Sequence, residues 1–469
     1  MPKRLFLCLW LVLFIAGLTK YTGSSLHYTV FSFVFLAMLI SGVYKQKSYG
    51  YLFLVAMLWL GFWFKLTIHM QVDYPFGEAI GSFDGTPEAW DTVLQIATAG
   101  AIGVVIARLI YSFFNTPSTM LVQNNVFKAP LWYPAIRRWI WAGLMIVCVG
   151  LVIANTSLSI LQVGLVPKTI LVWPLNALIS FLIGYGLTLL IATLLWWDIS
   201  LRYNISLVVH FVLLEAFFSA ISIFSRGAYI FHTIPQLFGV YKNRLSVSGW
   251  SMKNLMVVVT TFVVLFVISN PLVNTLRGYY YSNASLESTS ASASAFLRFA
   301  ADRWIGAEGA MVVAAYPNKG VELFTDGIME RRELGKDTFY TQISQPVYFG
   351  VVDKSKFQFS ETPGAIAFLY YTGQLWVVLL GMVVFAILVL VSEVLVLRLT
   401  SNPLLCALWG GAVANAVAQF GVAPKSLLFY FFELVCVVIT ISFIQSTFFT
   451  NFLKKVNTFI KFTVKLDNG

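Results

Sequence analysis

The stretch Leu375-Trp376-Val377-Val378-Leu379-Leu380-Gly381-Met382-Val383-Val384-Phe385-Ala386-Ile387-Leu388-Val389-Leu390-Val391-Ser392 runs for 18 residues without a charged side chain. A bilayer hydrocarbon core is about 30 Å thick, and a helix rising 1.5 Å per residue needs about 20 mostly apolar residues to cross it. With its polar margins this segment covers 370–397. The same ruler, moved outward, finds further segments at 5–20, 27–44, 50–68, 92–114, 138–155, 172–195, 204–224, 227–241, 254–274, 403–421 and 427–449. The expected fold is an all-α polytopic membrane protein of about 12 transmembrane helices.

Composition agrees with that fold. Of 469 residues, 59% are hydrophobic and 11% charged, with a mean hydropathy of +0.80, whereas soluble domains carry about 25% charged residues. An ordinary water-soluble enzyme, a disordered chain, a collagen-like repeat and a small disulfide scaffold are excluded. The first segment follows Lys3-Arg4 as a signal peptide would, but ends Gly17-Leu18-Thr19-Lys20 without a small-x-small cleavage site, so it is read as a span. Cys8, Cys148, Cys406 and Cys436 all fall in apolar runs and carry no redox information.

The net charge of +11 is read as orientation rather than nucleic-acid binding. With the N-terminus cytoplasmic, the inner segments hold Lys3, Arg4, Lys45, Lys47, Arg108, Lys128, Arg137, Arg138, Arg202, Lys242, Arg244, Lys253, Arg398, Lys454, Lys455, Lys461 and Lys465 against Asp198 and Asp467. The remaining fourteen basic residues lie outside among fifteen acids. Both termini are therefore expected in the cytoplasm. The chain divides into spans one to nine (1–274, with a short acidic outer loop at 69–91), a large outer loop (275–369), and three further spans with a basic tail (370–469). Connections beyond about 12–15 residues are usually functional or disordered. Residues 282–294 form a Ser/Ala low-complexity stretch, and 296–313 reads as an amphipathic helix interrupted by glycines, with Arg298 and Asp302 four apart on one face.

Soluble-enzyme motifs are absent: there is no GxGxxG, Walker loop, HExxH or GxSxG, and His27, His69, His210 and His232 are scattered over separate spans, so no metal site is expected. Chemistry falls to carboxylates and arginines on the outer face. Phe224-Ser225-Arg226-Gly227-Ala228-Tyr229-Ile230-Phe231-His232 places an arginine at the boundary between two spans, a costly position that suits a phosphate ligand, or snorkelling to lipid headgroups. A second cluster is Arg298, Asp302, Arg303 and Glu308, set among Phe296, Phe299, Trp304, Ile305 and Met311. Two arginines beside two carboxylates could bind a diphosphate and supply a base, or form a surface salt bridge. The third is the run from His69 through Asp73 and Glu78 to Asp84 and Glu88, a place for a base or a solvated acidic loop. Glu215, Glu393 and Glu433 lie within spans. There they serve ion coupling or cross-helix hydrogen bonds, and Glu393 is expected to reach the inner interface near Arg398.

Three stretches carry a resemblance. Ser225-Arg226-Gly227 opens a short span; Arg298 to Gly309 fits an RxxxxxxxxxxG loop pattern; and Thr362-Pro363-Gly364-Ala365-Ile366-Ala367-Phe368-Leu369-Tyr370-Tyr371-Thr372-Gly373 leads from the large loop into the next span. In these and in its layout the chain resembles the bacterial O-antigen repeat-unit polymerases. The resemblance implies a metal-independent, cofactor-free GT-C-type glycosyltransferase of the inner membrane, active at the periplasmic face. The donor would be a growing chain on undecaprenyl diphosphate, the acceptor a lipid-linked repeat unit, and a chain-length regulator a further partner. A lipid-diphosphate leaving group needs cations as charge develops. The expected cations are Arg226 with Arg298 or Arg303; Glu308 or Asp302 would take the acceptor proton, and His232, Tyr229, Trp304, Tyr370 and Asp73 are further substrate contacts. An O-antigen ligase should carry a histidine in its outer loop, and 275–369 has none. A twelve-span flippase or ion-coupled transporter should show two similar halves and does not need a loop with nine basic residues.

Overall fold

The computed structural model describes residues 2–44, 48–72, 74–114, 129–243, 252–281, 301–331, 333–446, 448–449 and 451. In chain order the helices are α1 (Pro2–Lys20), α2 (Ser25–Val43), α3 (Tyr49–Val72), α4 (Pro87–Phe114), α5 (Tyr133–Leu158), α6 (Leu175–Ser200), α7 (Ser206–Ser222), α8 (Arg226–Lys242) and α9 (Met252–Tyr281). The short loop helices are α10 (Ala307–Ala315), α11 (Val321–Met329), α12 (Phe339–Ser344) and α13 (Ala365–Leu369), followed by α14 (Leu375–Thr400), α15 (Pro403–Ala418) and α16 (Pro424–Gln445). Each apolar segment of the sequence overlaps one of these helices. Among the described residues eight helices, α2–α6, α9, α14 and α16, are long and apolar enough to cross a membrane, while α7 and α15 are apolar but shorter. The chain is an all-α membrane protein.

Close packing at the centre depends on small residues, because apolar association in lipid relies on backbone approach rather than on escape from water. α15 is buried along almost its whole length and runs beside α3, while α14 runs beside α4. At the α3–α15 crossing a Cβ on Gly410 would fall 2.5 Å from the Gly50 nitrogen, so no larger residue fits there. Glu393 of α14 closes the same crossing. It accepts from Ser48 Oγ at 2.6 Å and from the Tyr49 and Gly50 amides at 2.9 and 2.8 Å. The first amides of a helix have no partner within the helix, so Glu393 caps α3.

The long connections gather at the other end of the bundle. A two-stranded antiparallel pair, β1 (Gly164–Leu165) with β2 (Phe357–Gln358), ties the α5–α6 connection to the large loop. Within the described residues the amphipathic helix expected over 296–313 is helical at Ala301, broken over 302–306 and helical again from Ala307. The chain turns at 302–306 because it lies directly on α3: a Cβ on Gly61 would sit 2.3 Å from the Ile305 carbonyl oxygen, and one on Gly306 would sit 2.9 Å from that of Gly61. Two backbones in contact leave no room for a helix turn between them.

Candidate functional site

Where the loops meet the helix ends there is a cavity of about 1610 Å³. Its polar wall is built from Glu78 of the α3–α4 loop, Arg226 at the start of α8, Asn274 and Arg277 at the end of α9, Asp302 and Arg303 of the turn, and Asn415 and Gln419 at the end of α15. Met57, Ile230, Phe231, Ala412, Ala416 and Leu427 supply an apolar wall. One chamber thus offers cationic and hydrogen-bonding groups beside a surface that suits hydrocarbon.

Three arginines converge here from distant parts of the chain. Ser225 caps α8 by accepting from the Ala228 amide at 3.3 Å, which fixes Arg226 as the first helical residue. The helix N-terminus adds its own positive potential. Arg303 lies over the next residue, its Nη2 3.2 Å from where a Gly227 Cβ would be. Arg277 Nε donates to the Phe224 carbonyl at 2.8 Å, which anchors it to the same turn. Burial, together with the charges of Arg226 and Arg277, pulls Arg303 down to about 10. Like charges held together out of water cost energy, and an anion is the group that offsets it.

Asp302 lines the same cavity. Its Oδ1 is 2.6 Å from His69 Nε2 and accepts from the Tyr74 hydroxyl at 3.4 Å. Its Oδ2 is buried and has no hydrogen-bond partner among the described residues. Glu78 is half-buried on the same wall. Burial and the neighbouring Glu308 carboxylate push it up to about 8, with Glu361 and Asp302 acting in the same direction against Lys65.

The cavity therefore brings together Arg226, Arg303, Asp302, Trp304 and His232 of the residues singled out in the sequence. His232 sits deeper, with Nε2 donating to the Gly184 carbonyl at 2.7 Å and Nδ1 3.4 Å from Glu215 Oε1. Three of the expected residues lie elsewhere. Glu308 is fully buried against Lys65, whose Nζ donates to its two carboxylate oxygens at 2.7 and 2.9 Å. Held in this ion pair, Glu308 does not line the cavity, whereas Asp302 does. Tyr229 is buried behind the wall, its hydroxyl donating to the Phe262 carbonyl at 3.0 Å. Tyr370 packs under Lys319, with Nζ 6.0 Å from its ring centre. Arg298 and Asp73 lie outside the described residues. His69 and Glu78 of the third sequence cluster complete the site together with Arg277 and Lys65, which were not among the residues chosen from sequence. Lys65 had a usable signal, being a lone cation inside an apolar segment. Among the described residues no three His, Cys, Asp or Glu side chains come together as a metal site.

No family model, no curated protein and no solved structure matches the chain. The three stretches that carry the resemblance nevertheless have a definite relation in space. Gly227 meets Arg303, and a Cβ on Gly309 would fall 1.9 Å from the Pro363 carbonyl oxygen, so α10 rests backbone-to-backbone on the Pro363-Gly364 turn.

Proposed function

We propose that this chain is a membrane glycosyltransferase that polymerises oligosaccharide repeat units carried on a lipid diphosphate, most simply undecaprenyl diphosphate, into a surface polysaccharide. The observation that carries the reading is the meeting of Arg226, Arg277 and Arg303 in a chamber that also has an apolar wall. An amphipathic anion fits such a chamber: diphosphate at the arginines, isoprenoid along the apolar wall, sugar toward the loops. As the glycosidic carbon–oxygen bond to the diphosphate breaks, charge grows on the leaving oxygen, and fixed guanidinium groups stabilise that charge without reorganisation. Asp302 takes the proton of the attacking hydroxyl. In the full reading twelve helices span the inner membrane, both termini are cytoplasmic and the chamber opens to the periplasm.

Deleting the gene tests this. Loss of a polymerase leaves lipid capped with a single repeat unit on a gel of surface polysaccharide, and Arg226→Ala, Arg277→Ala and Arg303→Ala should each shorten or abolish the ladder. If all three variants give full-length chains, the arginine mechanism is wrong. A transport reading draws on one observation, the buried Glu215–His232 pair beneath the chamber. Loss of a flippase leaves no repeat unit at all, so the same gel separates the two.

A further inference from the structure

Asp302 does not stand alone. His69, one turn before the end of α3, is buried between two rings: its own ring centre is 3.9 Å from that of Phe76, stacked within 13°, and 4.2 Å from that of Tyr74. Its Nδ1 is 3.1 Å from the Tyr74 carbonyl oxygen. A carbonyl can only accept, so Nδ1 carries the hydrogen there. The other nitrogen, Nε2, meets Asp302 Oδ1 at 2.6 Å. A carboxylate likewise only accepts, so Nε2 donates too and the ring is the imidazolium; clamped by stacking on its faces and by hydrogen bonds at both nitrogens, it holds one oxygen of the carboxylate. The second oxygen, Oδ2, is buried beside Gly77 without a partner among the described residues, on a side chain that lines the chamber. A buried acceptor left unsatisfied costs free energy, unless a ligand supplies the missing donor.

We propose that His69 is a positioning residue for glycosyl transfer: it fixes Oδ1 of Asp302 so that Oδ2 points at the hydroxyl of the acceptor sugar. The inference rests on the transfer reading given above. In the step, the acceptor O–H bond breaks and its proton passes to Oδ2, while the oxygen forms the new bond to the anomeric carbon. The bond from that carbon to the lipid diphosphate breaks, and its electron pair leaves on the phosphate oxygen beside the arginines. The carboxylic acid then returns its proton to water. Lys65 steadies the same residue from the backbone side, its Nζ lying 3.3 Å from the Asp302 carbonyl oxygen.

The test uses the full chain purified in lipid nanodiscs. Its substrate is the lipid-diphosphate oligosaccharide extracted from cells that lack the gene. A glutamine at 69 places an amide nitrogen near the position of Nε2, within reach of Asp302, whereas an asparagine reproduces only Nδ1. The expected result is that D302N and H69N each lose about 100-fold in kcat, the low end of general-base effects. H69Q should stay within about 5-fold of the unaltered protein, with KM for the lipid substrate unchanged in both histidine variants, the pattern of an interaction made in the transition state. Equal kcat for H69Q and H69N overturns the positioning role, whichever level they share. Full activity in D302N overturns instead the assignment of the base on which it rests. An unaltered protein that forms no polymer from this substrate overturns the transfer reading itself.

Discussion

Glu78 holds its proton at neutral pH because burial and the Glu308 charge raise it to about 8 from an ordinary value of 4.5. The folded chain therefore keeps a proton on Glu78 over a range in which the unfolded chain has lost it, so the contribution of Glu78 to stability falls as pH rises from about 4.5 to about 8 and is constant beyond. Glu78→Gln removes the titration: its melting temperature should exceed that of the unaltered protein at pH 8 and match it near pH 4, as read from thermal unfolding in detergent. Lys65 and Glu308 make the opposite case. Both are wholly buried and bonded at 2.7 Å, so Lys65→Met strands a carboxylate and should cost about 3–5 kcal/mol. Adding Glu308→Leu should recover most of that loss, as the same melts would show. Neither pair could be read from the sequence, because Lys65 and His69 find partners more than 230 positions away. Their arginine counterparts were half legible: Arg226 and Arg303 stand out as charges at span or loop boundaries, whereas Arg277 looks like one more residue at the end of an apolar helix.

At the scale of elements, one face of α3 does the positioning. Gly61, Lys65 and His69 stand four apart and meet Ile305, Glu308 and Asp302 in turn. Four α-helical steps overshoot a turn by about 40°, and the wider π-helical turn over Leu60–Phe64 offsets the drift, so the three contacts stay in line. Such π turns occur frequently at functional sites. Gly61→Ala would drive a methyl group into the Ile305 carbonyl and push the 302–306 turn away from α3. Overpacking of this kind costs about 1–3 kcal/mol. The larger effect should be on rate, since Asp302 and Arg303 ride on that turn; a displacement of about 1 Å can cost about 100-fold. Gly143→Ala in α5, where a Cβ meets nothing within 4 Å, is the control and should leave both melting and polymer length unchanged. The spans themselves were legible because twenty apolar residues in a row have few other uses. The docking of loop on helix was not, because it depends on glycines whose role is the absence of a side chain.

For the whole molecule, the distribution of charge makes a statement about sidedness that the helix geometry sharpens. Ile223 and Ser225, just past the end of α7, line the chamber, and α7 runs back 17 residues to Ser206, about 25 Å at 1.5 Å per residue. The α6–α7 turn, with exposed Arg202 and Asn204, thus lies at the opposite end of the bundle from exposed Lys336 in the large loop. Short-loop basic residues favour the cytoplasm, so the proposed orientation has the Arg202 turn inside and the chamber outside. In that orientation the fifteen acids that balance the fourteen outer basic residues lie in the 69–91 loop and the large loop, so the outer half is nearly neutral even though it holds the arginine triad. A chain with Cys8, Cys148, Cys406 and Cys436 replaced by alanine, carrying either Lys336→Cys or Asn204→Cys, tests this orientation. In spheroplasts a membrane-impermeant maleimide should label the first variant at once and the second only after the membrane is opened. The reverse pattern would put the chamber in the cytoplasm. The acceptor would then have to be extended before export, and the periplasmic polymerase reading would fail even if every arginine variant were inactive.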